Sequence, residues 1–228
     1  MRFGQFAENS VVVIDHERTR AHVLRFAECF GPLAKVVNVQ STTGHPSVML
    51  ISNIRKDGKP IGALPDGEMQ FHTDQCYLER PAMASMLYAI EVPSVGGDTL
   101  FANAYSAYET LPADIKRKLV KRGTRLRDGV PHYVHPVVRT HPGTGRKALY
   151  VNRLMTLAIE GMPEAESDEL LNLLFDHQEQ RQFVYEHVWR VGDMLMWDNR
   201  CTLHARSDFS SAERRLMRRI AVLGEKPV

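Results

Sequence analysis

From residue 69 onward the chain is a succession of short extended runs broken by turn residues, and this limits the folds open to it more than any other feature. Met69-Gln70-Phe71-His72-Thr73-Asp74, Met83 to Ile90, Thr99-Leu100-Phe101, Ala148 to Val151, Phe183 to Arg190, Met194 to Trp197 and Leu216 to Leu223 have strand length and strand composition. Gly96-Gly97-Asp98 is a strong turn signal, and Gly192-Asp193 predicts a hairpin between its flanking strands. Two helices interrupt the series. One is expected over Pro112 to Arg122, with Pro in its first turn and Gly123 after its end. The other runs over Ser167 to Asp176, with Leu170, Leu171 and Leu174 on one face.

The first third of the chain is less regular. Val11-Val12-Val13-Ile14 reads as a buried strand, and Asp15 is placed to cap a helix. Val23, Leu24, Ala27 and Phe30 recur at helical spacing until Gly31-Pro32 stops the run. Val48 to Ile51 reads as a strand, and residues 53–68, rich in Gly, Pro, Lys and Asp, as a loop centred near 60–67. Many short strands with a few outer helices predict a mainly β fold, a sandwich or jelly roll with peripheral helices. No internal repeat and no Pro/Gly/Ser-rich linker divides the 228 residues, so one domain is expected.

Composition excludes several function classes. With 43% hydrophobic and 25% charged residues the chain has the balance of an ordinary globular protein rather than a disordered one. Lys+Arg 29 against Asp+Glu 27 leaves +2, too little surplus to imply nucleic acid or a membrane surface as partner. No apolar run approaches the roughly 20 residues of a membrane span. MRFGQFAENS lacks the basic and apolar segments of a signal peptide. Cys29, Cys76 and Cys201 are odd in number and scattered, which speaks against a disulfide framework and for the reducing cytoplasm. P-loop, Gly-x-Ser-x-Gly and His-Glu-x-x-His signatures are absent, removing NTPase, α/β-hydrolase and zincin readings. The partner left is a small molecule, and a second copy of the chain remains compatible with all of this.

Histidine and carboxylate are the usual ligands for iron or manganese. Chance alone supplies about one His-x-Asp/Glu step, given ten His and 27 Asp+Glu in 228 residues, and the sequence has two. Geometry separates them. Two residues apart on a strand, side chains project to one face, roughly 6.5–7 Å apart at the backbone. His72 and Asp74, in an extended run, satisfy this. Two apart on a helix they diverge by about 200°. His177 and Glu179, continuing the helical run, are expected to do so. A third ligand is offered by His204, where the apolar strand ending at Trp197 gives way to Asp198-Asn199-Arg200-Cys201-Thr202-Leu203-His204. Two histidines and one carboxylate leave coordination positions open and suit non-haem Fe(II).

Four arginines follow: Arg214, Arg215, Arg218 and Arg219. On a strand, Arg215 and Arg219 share a face, roughly 13 Å apart at about 3.3 Å per residue. Each guanidinium can hold a carboxylate bidentately, so two forks on one inner face suit two different anionic groups. His132, His135 and His141 are spaced unevenly among prolines and read as structural. Cys76 and Cys201 read as packing residues close to the proposed ligands, and Trp189 and Trp197 as core.

Taken together, Phe71-His72-Thr73-Asp74, Gly96 to Asn103, His135 to Pro142, Trp197-Asp198-Asn199-Arg200 with His204, and Arg215 to Arg219 resemble the taurine dioxygenase/2,4-dichlorophenoxyacetate dioxygenase family of Fe(II)- and 2-oxoglutarate-dependent oxygenases. The resemblance covers roughly residues 10–227, and relatives carry a longer stretch ahead of the region matching Val11 to Ile14. It implies a double-stranded β-helix, the jelly roll of clavaminate synthase-like enzymes. It implies that His72, Asp74 and His204 bind Fe(II), that Arg215 and Thr99 hold the far carboxylate of 2-oxoglutarate, and that Arg219 lies near the anionic head of the substrate. The implied reaction consumes O2 and 2-oxoglutarate, releases succinate and CO2, and hydroxylates a small, anionic molecule such as a sulfonate, sulfate ester or aryloxyalkanoate. Two other readings use the same residues: a non-catalytic jelly-roll binding protein, and a metal-dependent hydrolase. Arg215 separates the last, since a hydrolase needs no dicarboxylate clamp.

Overall fold

The structure is a computed structural model that describes residues 11–15, 20–36, 44–63, 69–129 and 133–228. In chain order the elements begin with β1 (Val11–Asp15), α1 (Arg20–Glu28), β2 (Val48–Ser52), β3 (Arg55–Lys56) and β4 (Lys59–Pro60). Next come β5 (Met69–His72), β6 (Ala82–Glu91), β7 (Thr99–Asn103), α2 (Ala104–Thr110), α3 (Ala113–Leu119) and β8 (Gly123–Leu126). Then follow β9 (His135–Pro136), β10 (Val138–Thr140), β11 (Lys147–Leu149), β12 (Thr156–Ile159) and α4 (Glu164–Gln178). The chain closes with β13 (Val184–His187), β14 (Asp193–Asp198), β15 (Thr202–Arg206) and β16 (Leu216–Leu223).

Two antiparallel sheets carry the architecture: five strands in the order β1-β14-β6-β16-β2, and four in the order β13-β7-β15-β5. Strand alternation decides what each face does. On β6 and β14, Leu87, Leu195 and Trp197 point inward and join Phe101 and Met217 in the core between the sheets. Their neighbours Met86 and Met194 point outward, where α1 covers them with Val23 and Ala27. Both faces of the larger sheet are therefore buried, which is why its strands read as continuous apolar runs. On the smaller sheet Ala102 and Leu203 face outward against Tyr105 and Ala148, while Phe101 faces the core.

The helices seal the outside. α4 buries Leu170, Leu171, Leu174 and Phe175 against Leu119, Leu149, Val151 and Ile159. It begins earlier than its apolar face and ends past His177, because Glu164 and Glu166 suit the first turn. α2 follows β7 without a loop. Asn103 caps it, its Oδ1 accepting from the backbone N–H groups of Tyr105 and Ser106. None of the helices is long and apolar enough to cross a membrane, among the described residues.

The structure corrects several expectations: Asp15 closes β1 instead of capping the helix, which begins only at Arg20. Gly192-Asp193 makes a turn, with Gly192 at φ 93°, but its flanking strands do not form a hairpin. β13 pairs with β7 in the smaller sheet, while β14 pairs with β1 and β6 in the larger one. The turn carries the chain from one layer to the other. The loop expected over 53–68 contains a small hairpin, β3–β4, turning at Asp57 (φ 52°) and Gly58 (φ 74°). Residues 64–68 of that loop lie outside the described residues.

Candidate metal centre and cosubstrate pocket

The antiparallel register of β5 and β15 sets His204 directly opposite His72. Their rings are 4.1 Å apart at the centroids. Asp74 follows just past the end of β5. Its Oδ1 lies 3.9 Å from Nε2 of His72 and 3.8 Å from Nε2 of His204. Donor atoms of all three lie within 4.8 Å of one another, close enough for a single ion at bonds of roughly 2.0–2.2 Å. The step from strand to site is thus one of register: residues far apart in sequence meet because β5 and β15 are hydrogen-bonded neighbours.

The donors are prepared for a metal. Nδ1 of His72 is 2.9 Å from the carbonyl oxygen of Gln70. With Nδ1–H donating there, the Nε2 lone pair is left facing Asp74. Nε2 of His204 faces the same carboxylate oxygen, and its buried Nδ1 has no hydrogen-bond partner among the described residues. Burial pushes the His72 pKa down, and burial together with the His72 charge pushes that of His204 down to about 3. Burial would raise the Asp74 pKa. Arg219, the two histidines and the hydroxyl of Ser85 outweigh it and hold the carboxyl at about 2. Two neutral imidazoles beside an ionised carboxylate are the protonation states that coordination requires.

A cavity of about 180 Å³ opens beside these residues and is lined by Thr99, Trp197, Arg206, Arg215 and Arg219 with Met49, Ile51 and Leu87. At ~30 Å³ per water it has room for about six waters, the scale of a small organic acid. Arg215 is 1% exposed. Its Nε donates to the carbonyl oxygen of Gly97 at 3.2 Å, and its backbone N–H to Oδ1 of Asn53 at 2.9 Å. The Gly-Gly-Asp turn makes room for it. Gly97 sits at φ 69°, and a Cβ there would meet Cδ and Nε of Arg215 at 3.3 Å. Burial and the nearby Arg206 lower the Arg215 pKa to about 9, with Asp98 opposing, so the side chain remains a cation at neutral pH. Thr99 accepts from the indole Nε1 of Trp189 at 2.9 Å. Its own hydroxyl proton is left to donate elsewhere.

The structure brings all six proposed residues together. His72, Asp74, Thr99, His204, Arg215 and Arg219 all line the one cavity. Arg219 is also an immediate neighbour of the ligand set, with Nη2 at 3.1 Å from Oδ1 of Asp74. Sequence reasoning missed Arg206. It is buried, lines the same cavity, and stands opposite Thr99 on the paired strand. Its spacing of two from His204 on β15 was the signal that places it on the inner face. Trp197 is core, as read, but also cavity wall, with its ring 4.7 Å from that of His204.

Other histidines among the described residues are occupied elsewhere. His177 lies within α4 and its Nε2 is 2.9 Å from the carbonyl of Ala107, while Glu179 pairs with Arg153. The two diverge, as helical geometry requires. The Nε2 of His135 is 2.8 Å from the carbonyl of Leu78. His132 lies outside the described residues. His141 meets Asp198 and Cys201 in a second grouping of metal-capable side chains. Cys76 is buried beside Asn152, and burial pushes its thiol up to about 12, which leaves it inert packing.

Comparison with known proteins gives this arrangement its class. Residues 5–221 match the family described as taurine catabolism dioxygenase TauD, TfdA family, and the chain belongs to that family. It is an α-ketoglutarate-dependent (2-oxoglutarate-dependent) dioxygenase. Among curated relatives, the 2,4-dichlorophenoxyacetate dioxygenase of Burkholderia sp. (strain RASC) is 34% identical over 239 residues, spanning 93% of this chain and 80% of the relative. Pentalenolactone F synthase of Streptomyces arenae is 31% identical over 234 residues, spanning 90% and 78%. Among solved structures, a taurine dioxygenase from Burkholderia xenovorans superposes with TM-score 0.83 at 31% identity, covering 96% of this chain and 78% of that one. AAD-2 in complex with Mn(II) and N-oxalylglycine superposes with TM-score 0.84 at 28% identity, covering 96% and 86%.

Proposed function

We propose that the chain is a single catalytic domain that binds Fe(II) through His72, Asp74 and His204 and 2-oxoglutarate through Arg215 and Thr99, and that it hydroxylates a small anionic organic acid. Its two sheets are read here as the double-stranded β-helix of that enzyme class. The observation that carries the proposal is the meeting of the three ligands at the wall of a cavity whose far side holds a buried arginine.

The donor set fits the metal. Two imidazoles and one carboxylate are the ligands of non-haem Fe(II), and here both Nε2 atoms face Oδ1 of an ionised Asp74. When bound, the metal supplies the redox chemistry by which O2 and 2-oxoglutarate are converted to succinate and CO2 with hydroxylation of a substrate C–H bond. The chain's residues do the rest. Asp74 and the two histidines fix the ion in a largely buried pocket. Arg215 forms no ion pair with a protein carboxylate among the described residues, so its fork is available for the distal carboxylate of the cosubstrate. Thr99, its oxygen already taken by Trp189, donates its hydroxyl proton to the same carboxylate. Arg219 brings a second cation to the metal face and draws an anionic substrate head towards it. Met49, Ile51, Leu87 and Trp197 exclude water and leave apolar surface for the substrate's carbon skeleton. The sulfonates, sulfate esters and aryloxyalkanoates named for relatives define the substrate classes to try.

A hydrolase built on the same ligands has no use for a buried guanidinium at the back of its pocket. The test is succinate formation and O2 uptake by the purified chain with Fe(II), 2-oxoglutarate and a panel of small acids. Stimulated uptake with stoichiometric succinate is expected. A protein that neither consumes O2 nor changes its absorption or fluorescence on adding both ligands refutes the proposal.

A further inference from the structure

Asp74 presents its two oxygens to different surroundings. Oδ1 faces Nε2 of His72 and Nε2 of His204, with Nη2 of Arg219 at 3.1 Å beside it. Oδ2 points the other way and accepts a hydrogen bond from the hydroxyl of Ser85. That serine is the first member of a chain. Its Oγ accepts from Nδ2 of Asn199 at 2.9 Å, and Oδ1 of Asn199 accepts from the indole Nε1 of Trp197 at 2.9 Å. Ser85 is 0% exposed, Asn199 and Trp197 1%, and Asp74 3%, so water does not compete with any link.

The direction of this chain is not free. An indole N–H only donates, so the amide of Asn199 must turn its oxygen to Trp197 and its NH2 to Ser85. A serine hydroxyl has one proton. With a donor already on its oxygen, that proton goes to the remaining acceptor, Oδ2 of Asp74. The β pairing supplies the placement: Trp197 and Ser85 are cross-strand partners on β14 and β6, and the backbone N–H of Asn199 is held by the carbonyl of Met83 at 2.8 Å. The Trp197 ring also lies against His204. One indole therefore adjoins the second imidazole and fixes the hydrogen-bond polarity at the carboxylate.

We propose that Ser85, oriented by Asn199 and Trp197, is a positioning residue that occupies one oxygen of Asp74 and leaves the other to bind metal, thereby setting the metal affinity of the site. The inference rests on the metal reading of His72, Asp74 and His204. Partners that hydrogen-bond a ligating side chain typically contribute roughly 10- to 100-fold in metal affinity.

The experiment is titration of the full chain with Mn(II) alone by calorimetry, with the melting temperature of each metal-free variant measured alongside. Ser85→Ala is expected to weaken Mn(II) binding by about 10- to 100-fold, while Ser85→Thr, which keeps the hydroxyl, stays within about three-fold of the parent. Asn199→Ala, which removes the donor that fixes the serine, weakens it by a smaller factor. At saturating Mn(II), 2-oxoglutarate binds the Ser85→Ala variant as it binds the parent, a separation that general loss of structure does not produce. Unchanged Mn(II) affinity in a folded Ser85→Ala variant overturns the inference, as does a Ser85→Thr variant as weak as Ser85→Ala. Should Ser85→Ala fail to fold, Asn199→Ala decides, and parental affinity there overturns it. A parent chain that binds no Mn(II) instead refutes the metal reading itself.

Discussion

Among the described residues two clusters of metal-capable side chains, each with a histidine and a carboxylate, are similar in residue type and opposite in state. In the grouping of His141, Asp198 and Cys201, the lone pairs are already occupied by the protein. Nδ1 of His141 accepts from the backbone N–H groups of Gly143 and Thr144 at 3.1 and 3.2 Å, and its Nε2–H donates to Asp198 at 3.1 Å. Both oxygens of Asp198 are gripped by Arg200. Burial would raise the Asp198 pKa, but Arg200 and His141 hold it below the usual carboxylate range. In the grouping of His72, Asp74 and His204, both Nε2 atoms converge on Oδ1 of Asp74 at the wall of the cavity, and Arg219 is the one cation paired with that oxygen among the described residues. Two of the buried arginines repeat the contrast. Arg139, 2% exposed, is paired with Glu225, whereas Arg215 faces an open cavity. Donors that converge on one point at a cavity wall mark a site. Residue type alone does not. The closed grouping has its own task, since Asp198 and Cys201 flank the turn from β14 into β15 that aims His204.

The largest effect that tests this contrast is loss of metal. His204→Ala or Asp74→Ala is expected to abolish Mn(II) binding and turnover, while His141→Ala keeps one metal per chain. Metal analysis of the purified variants checks it, and metal loss in His141→Ala would erase the distinction. Next comes the cosubstrate. Arg215→Ala should raise the 2-oxoglutarate KM about 10- to 100-fold, the equivalent of roughly 1.5–3 kcal/mol for a charge-assisted contact. Arg139→Ala should leave that KM within a few-fold. Steady-state kinetics distinguishes them. His141→Ala should then appear in stability, costing about 1–3 kcal/mol in denaturant unfolding, because it strands buried polar partners.

The smallest effect is a pH slope. The folded-state pKa values of His72 and His204 lie below the unfolded value, so between about pH 6.5 and the folded values the unfolded chain binds more protons. Stability therefore falls as pH falls through that window. Asp74, depressed from 3.8 to about 2, adds loss in the same direction below its unfolded pKa. Melting of the metal-free chain from pH 7.5 to 5 should show the decline, and His204→Gln should flatten it.

Much of this was legible in the sequence, for identifiable reasons. Strands with both faces buried leave apolar runs, so β6, β14 and β16 were marked within a residue or two. His-x-Asp on an extended segment predicts a shared face without any knowledge of the partner strand, although β5 ends at His72 and Asp74 opens the turn that follows. What stayed hidden depends on which strands pair. Gly192-Asp193 looks like a hairpin turn because turn chemistry is the same whether the chain stays in a sheet or crosses to the other. The Ser85–Asn199 contact joins residues 114 apart, and nothing local announces it. The cap at Asn103 and the Asp57-Gly58 turn are local signals for α2 and the β3–β4 hairpin, but each lies within a segment whose wider pattern reads as strand or loop.

The direct pairing of His204 with His72 also governs how such a chain can vary in length. Inserting or deleting one codon within β15 or at the end of β5 would rotate an imidazole to the outer layer, beside Leu203 and Ala102. Changing the length by two would restore its facing but carry it roughly 6.5–7 Å along the strand, out of reach of its mates. Tolerated length changes in descendants of this gene should therefore fall in the connections, leaving these two short stretches fixed in length.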